Sequence, residues 1–310
     1  MSFLACGSFR IALARPLIMG IVNVTTDSFS GDGLGDDLER AVAHGLRLVD
    51  EGADLLDIGA ESSRPGAIPV TVEEEVRRLV PVIARLSGCG VPLSVDTVKP
   101  EVMRAAIAAG ASMINDINAL LTPGALECLA ESNAAVCLMH MQGSPSTMQQ
   151  RPAYADVVGE VVAFILERVA AAERAGISKS RIVVDPGFGF GKSLEHNLAL
   201  FRGLDSIKAL GLPLLVGVSR KSMLGQITGR PVEERIHASV AAALLAAERG
   251  ADILRVHDVA ATMDALAILR AVQTFPPAPT PREGVTGVQP LARLPCDGLL
   301  PPRGGPSERA

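Results

Sequence analysis

PLSVDTVKPEVMRAAIAAGASMINDIN, residues 92–118, contains one complete repeating unit. PLSVDT (92–97) and SMINDIN (112–118) are short, mostly apolar runs that end in polar residues. Such runs suit strands covered on both faces. Between them, KPEVMRAAIAAG (99–110) has Pro100 near its start and Gly110 at its end, the two punctuation marks of a helix. Two strands joined through a helix run parallel in one sheet.

Outward from this unit the pattern repeats. LIMGIVN (17–23), LLDIGA (55–60), AVCLMH (135–140), RIVVDPG (181–187), PLLVGVS (213–219) and DILRVH (252–257) read as further strands. Helices are predicted over 36–52, with Leu38, Val42, Leu46 and Val49 on one face, and over 71–86, where Thr71 and Glu74 form a capping-box pattern and Pro81 predicts a kink. The segments 154–176 and 233–250 read as two more, the second rich in Ala. About eight βα units of similar length, without a break in composition, predict a single α/β domain closed into a (β/α)8 TIM barrel; a doubly wound open sheet is the alternative. The expected organisation is an N-terminal extension or hairpin (1–16), the barrel (17–275) and a Pro- and Gly-rich tail (276–310) predicted to be disordered.

Composition narrows the function. Apolar residues are 48% of the 310-residue chain and charged residues 20%, enough apolar material for a large core. Aromatics are 3%, with no Trp and a single Tyr, so base-stacking platforms are implausible. The net charge is -5 and the basic residues are dispersed, which argues against a nucleic-acid partner. The five cysteines include no CxxC pair, so neither a zinc knuckle nor a disulfide framework is expected. With neither a signal-peptide pattern nor a membrane-length apolar run, a cytoplasmic protein is predicted.

Nearly every strand ends in polar residues: Asn23; Asp57 and Glu61; Asp96; Asn115 and Asp116; His140; Asp185; Ser219, Arg220 and Lys221; Arg255 and His257. Each alone could be a cap or a satisfied core group. Leaving so many buried without partners would cost roughly 1–3 kcal/mol apiece, so one shared cleft at the barrel's C-terminal end is the simpler reading. Asp96, Asn115 and Asp185 suit a flat heterocycle with adjacent N–H donors. Lys221, Arg255 and His257 suit a carbonyl and a phosphate or diphosphate. The loops 24–37 and 61–70 read as lids, with plain solvated loops as the alternative. GFGFGK (187–192) fails the P-loop spacing because Pro186 stands where a glycine is needed. It reads as a turn bringing backbone near a ligand, with Phe190 either lining a pocket or in the core.

In chain order, IMGIVNVTTDSFS, DIGAESSRPGA, SVDT, INDI, LMHMQGSP, VVDPGFGFGK, GVSRKS and ILRVHDV resemble the dihydropteroate synthase family, the folate-pathway enzymes inhibited by sulfonamides. The resemblance covers about residues 17–270. It implies a transferase that condenses 7,8-dihydropterin-6-ylmethyl diphosphate with 4-aminobenzoate, giving 7,8-dihydropteroate and diphosphate. It further implies that Asp96, Asn115, Asp185 and Lys221 bind the dihydropterin ring. Ser63 and Arg64 contact the substrate from the second lid. Asn23, Arg255 and His257 hold the diphosphate, Asn23 being also a Mg2+ ligand. Phe190, Ser219, Lys221 and Ser222 form the 4-aminobenzoate site. Asp96, Lys221, Arg255 and His257 are the implied catalytic group, and a homodimer is the implied assembly. Two departures stand in the first lid: Thr26 replaces the family's usual Pro, and Asp32 lies one place after the usual Asp, with Gly31 in its stead. A methyltetrahydrofolate-dependent methyltransferase module and a non-catalytic pterin-binding barrel are the competing readings.

Overall fold

Eight parallel strands line up in the order β8-β7-β6-β5-β4-β3-β10-β9 in the computed structural model, which describes residues 3–24, 37–62 and 69–274. The strands are β3 (Leu17–Asn23), β4 (Leu55–Gly59), β5 (Leu93–Asp96), β6 (Met113–Asp116), β7 (Ala135–Met139), β8 (Ile182–Asp185), β9 (Leu215–Val216) and β10 (Ile253–Val256). β8 and β9 meet through a bridge between Val184 and Leu214 and a hydrogen bond from Val184 N to Pro213 O of 2.9 Å. The barrel is therefore nearly closed, with one thin seam. Pro213 has no N–H to extend the ladder there, and Gly217 follows the short strand.

Helices α1 (Leu38–Asp50), α2 (Val72–Leu86), α3 (Pro100–Ala109), α4 (Ala125–Ala130), α5 (Val157–Arg174), α6 (Leu194–Arg202), α7 (Leu204–Lys208), α8 (Ser222–Thr228), α9 (Ile236–Glu248) and α10 (Val259–Thr274) follow the strands. The sequence patterns locate α1, α2, α3, α5 and α9. The short or weakly patterned α4, α6, α7, α8 and α10 escape them. The seven-residue strand expected at 213–219 contracts to two residues, since Gly217 to Ser219 leave the ladder for the barrel mouth.

The buried stripe of α1 differs from the expected one. It is Ala41, Val42, Gly45 and Leu48, while Leu46 is 43% exposed. Small residues decide this: a Cβ on Gly45 would meet Leu86 Cδ1 at 2.8 Å, so the absent side chain lets the helix close onto its neighbours. α2 continues through Pro81, which lies on its exposed face. The carbonyl that loses its intrahelical partner there can turn to water.

Strand alternation divides the core in two. Ile18, Leu56, Ile58, Val95, Ile114, Val136, Leu138, Ile182, Val184, Leu214, Leu254 and Val256 face the helices. Leu17, Met19, Leu55, Met113, Ala135, Cys137, Val183, Leu215 and Ile253 form a second cluster inside the barrel. That inner cluster also contains Leu4 and Cys6. Both belong to an antiparallel hairpin of β1 (Phe3–Cys6) and β2 (Phe9–Ala12). Gly7 at its turn donates to Asn133 O at 3.1 Å, and Cys6 Sγ to Ser112 O at 3.3 Å, so the hairpin covers the N-terminal end of the barrel. The second compact unit, Thr274–Ala310, lies outside the described residues apart from Thr274, and so does the tail expected over 276–310. No helix among the described residues is long and apolar enough to cross a membrane.

Candidate active site

Side chains of one parity face the barrel axis, and moving up most of the strands they change from apolar to polar. Met19 is followed at two-residue steps by Ile21 and Asn23, Leu55 by Asp57 and Gly59, and Ser94 by Asp96. Met113 leads likewise to Asn115, Cys137 to Met139, Val183 to Asp185, Leu215 to Gly217 and Ser219, and Ile253 to Arg255 and His257. The upper residues meet in a cavity of about 410 Å³. Of the predicted site residues, Asn23, Asp96, Asn115, Asp185, Phe190, Ser219, Lys221, Ser222, Arg255 and His257 all line it. Ser63 and Arg64 lie outside the described residues, as do Thr26, Gly31, Asp32 and most of both expected lids.

The floor is a charge network. Arg255 donates from Nε to Asp57 Oδ2 at 2.5 Å and from a terminal nitrogen to Asp96 Oδ2 at 3.1 Å. Asn115 Nδ2 donates to the same Asp57 oxygen at 3.1 Å. Register sets these neighbours: Asp96 pairs with Gly59 on one side and Asn115 on the other. Gly217 lies beside Arg255, where an added Cβ would touch the arginine's own Cβ at 3.7 Å. Asp57, fully buried beneath the floor, orients both Arg255 and Asn115. It was visible in the sequence as a polar strand residue but does not line the cavity. Asn115 Oδ1, Asp57 Oδ1 and Ser94 Oγ find no hydrogen-bond partner among the described residues. Buried acceptors of this kind are rare in native structures unless something else supplies the donor.

Burial pushes the Asp96 carboxyl up to about 7, with the Arg255 guanidinium opposing it. Burial also raises Asp185, opposed chiefly by Lys221. The Lys221 ammonium is lowered by burial to about 8, with Asp185 opposing. For Arg255, burial favours the neutral form, but Asp57 and Asp96 outweigh it and the guanidinium stays charged. The site thus holds several ionisable groups away from their ordinary ranges, a property of functional clefts.

The GFGFGK segment forms the wall beside Lys221. Gly187, Gly189 and Gly191 all have positive φ. A Cβ on Gly187 would drive into the carbonyl oxygen of His140, so the close approach itself requires glycine. Both Phe188 and Phe190 line the cavity; Phe188 is fully buried, and Phe190 lies beneath the Lys221 ammonium, 4.7 Å from its ring centroid. Lys221 Nζ also donates to Phe188 O. Lys192, which the sequence reading did not single out as a site residue, is buried and donates to His140 Nδ1 (2.9 Å), Gly187 O (2.9 Å) and Phe190 O (3.0 Å), tying the turn to the end of β7. Met148 and Gln149, in a loop that carries no strong local signal, complete the wall; Gln149 donates to Gly189 O at 2.5 Å.

Not every polar strand end reaches the cleft. Asp116 and His140 have the opposite parity and are absent from the cavity wall among the described residues. Asp116 caps a turn, accepting from Asn118 N and Leu120 N, and His140 packs edge-on against Phe164. Arg220 does line the cavity, but it is ion-paired with Asp258 at 2.6 Å. At the mouth, Ser219 Oγ and His257 Nδ1 lie 2.9 Å apart.

The family model for pterin binding enzymes matches residues 19–257. Dihydropteroate synthase of Escherichia coli K12 is 49% identical over 260 residues, covering 84% of this chain and 92% of that protein. The structure of Xanthomonas albilineans dihydropteroate synthase with 4-aminobenzoic acid is similar at a TM-score of 0.83 and 58% identity, over 88% of this chain and 99% of the other. The same enzyme in complex with 7,8-dihydropteroate superposes at 0.80 with 54% identity, over 89% of this chain and all (100%) of the other.

Proposed function

This chain belongs to the dihydropteroate synthase family of pterin-binding transferases, and from that membership we propose how its cavity divides the reaction. The substrates are 7,8-dihydropterin-6-ylmethyl diphosphate and 4-aminobenzoate. The carbon–oxygen bond to diphosphate breaks, a carbon–nitrogen bond to the aniline forms, and the aniline nitrogen loses a proton. Asp96, Asn115 and Asp185 grip the donor-rich edge of the pterin ring, and Lys221 takes its carbonyl. Phe190, Ser219, Lys221 and Ser222 receive 4-aminobenzoate. Arg255 and His257 face the diphosphate, Ser63 contacts the pterin diphosphate, and Arg64 serves 4-aminobenzoate binding from the second loop.

The observation that carries this reading is the floor itself: carboxylates and an unpartnered amide oxygen sit in one cavity with a half-buried lysine and an arginine. Solved relatives that bind 4-aminobenzoic acid and 7,8-dihydropteroate support the same division. The aniline is neutral near pH 7, so departure of the leaving group is the harder step. Arg255 and His257 stabilise its developing charge, and Asp96 favours positive charge spread into the pterin, which makes the path dissociative and the binding ordered, pterin first.

Asn23 offers one hard amide oxygen at the cavity wall. That donor fits Mg2+, which keeps most of its water and is commonly held jointly by a protein oxygen and substrate phosphates. When bound, the ion would neutralise charge on the diphosphate. A homodimer is the proposed assembly, supported by exposed Leu245 on α9 and Ile268 and Val272 on α10. Light scattering that gives a monomer mass at micromolar concentration would reject it. A cytoplasmic location is consistent with four free cysteines among the described residues.

Incubation with dihydropterin diphosphate, 4-aminobenzoate and Mg2+ should release diphosphate only when both organic substrates are present. A methyltransferase module or a non-catalytic barrel would release none.

A further inference from the structure

The loop between β6 and α4 contains an unusual turn. Ala119 and Leu120 are consecutive, are both buried, and have φ of 50° and 57°. Two adjacent L-residues in the left-handed region carry strain that a glycine would avoid, and such strain persists only where the surroundings over-determine it. Here they do. The buried Asp116 carboxylate accepts from Asn118 N at 2.7 Å and from Leu120 N at 2.8 Å. From the outer helix α5, the buried Arg168 donates from Nε to Ala119 O at 2.8 Å and from a terminal nitrogen to Leu120 O at 3.2 Å. One guanidinium thus grips the carbonyls of both strained residues.

The turn has an end in the active site. Asn115 and Ile117, immediately before it, both line the cavity, and Asn115 carries the unpartnered floor oxygen. We propose that Arg168 is a positioning residue for the pterin half of the site, acting through the Ala119–Leu120 turn to hold Asn115 and Ile117 in place. The proposal rests on the reading of this cavity as a pterin site. Among the described residues, Arg168 makes its hydrogen bonds to the turn and none to a cavity-lining side chain. Its effect travels through the turn, whose relaxation to an ordinary backbone would shift the end of β6.

The test uses the full chain and an unreactive pterin whose fluorescence reports binding. Arg168→Met should weaken pterin binding about tenfold or more while the KM for 4-aminobenzoate, at saturating pterin diphosphate, changes by less than about twofold. Adding Ala119→Gly should recover most of the lost affinity, because glycine holds a positive φ unaided. A folded Arg168→Met variant with unchanged pterin affinity overturns the proposal, and so does a loss that Ala119→Gly fails to recover. If Arg168→Met does not fold, the double variant decides: a folded, pterin-binding protein supports the proposal, and any other outcome rejects it. Asp185→Asn separates the two levels. A loss there with none in Arg168→Met rejects this proposal alone, whereas no loss in Asp185→Asn rejects the pterin reading beneath it.

Discussion

Asp185 ends β8 on the inward parity, with Oδ1 accepting from Gly187 N at 2.7 Å. Replacing it with Asn keeps the shape and removes the charge. Pterin affinity should fall by about 1.5–3 kcal/mol, a roughly 10- to 150-fold rise in Kd by calorimetry. An unchanged Kd would end its assignment. Asp96 gives a pH signature. Its carboxyl, raised to about 7 by burial with the Arg255 guanidinium opposing, is partly protonated near neutrality before a ligand binds. A ring that donates N–H bonds selects the ionised form. Pterin affinity should therefore fall as the pH drops from about 8 to about 6, and binding should release protons, measured as a heat that varies with the buffer's ionisation enthalpy. The raised value also has a stability sign: what Asp96 contributes to the unliganded fold is present at acid pH and lost as pH rises through about 7. At this scale the sequence revealed which polar residues stand at strand ends. Alternation then separates Asp96, Asn115 and Asp185 from Asp116 and His140, and that sorting is readable once each strand's apolar parity is known.

Among the loops, two glycines with the same φ of +70° make a controlled pair. Gly211 has nothing within 4 Å of an added Cβ, whereas Gly187 faces the His140 carbonyl. Gly211→Ala should cost about 1 kcal/mol, the strain of a left-handed L-residue alone. Gly187→Ala should cost about 4 kcal/mol or more in denaturant unfolding and abolish activity, since it must displace either β7 or the turn beneath Phe190. Equal costs would show that the turn is not pinned by His140. The helices teach a related lesson. α1 was legible as a helix, yet its buried face follows Ala41 and Gly45, which let it approach its neighbours, more than it follows Leu46. α10 escaped the sequence reading because only Val259 and Thr262 of its residues are buried, so its apolar residues trace no single stripe.

For the molecule as a whole, the two ends of the barrel divide the work, the lower end serving stability and the upper end the site. Apolar inner layers and the N-terminal hairpin fill the lower part and leave the cavity above. Leu4, fully buried among the inner residues, is the test of this division. Leu4→Ala should destabilise the protein by about 2–5 kcal/mol while KM for both substrates stays within about twofold of the parent under native conditions. A large KM change with no loss of stability would mean that the hairpin acts on the site and not on the core.

What the chain determined unaided is its periodicity. Short apolar runs separated by helical segments dictate parallel strands with covered faces, and the polar residues closing those runs are local facts, as are the motifs that carry the family resemblance. What only the tertiary structure decided is partnership. That Asp57 orients Arg255 across 198 positions, that Arg168 grips a strained turn 48 and 49 positions away, and that Lys192 ties two loops together all follow from ring closure. The physical reason is that hydrophobic patterning acts along the chain and is nearly indifferent to which neighbour is met. A buried charge is stable only beside a particular partner, and only the closed barrel brings that partner within reach.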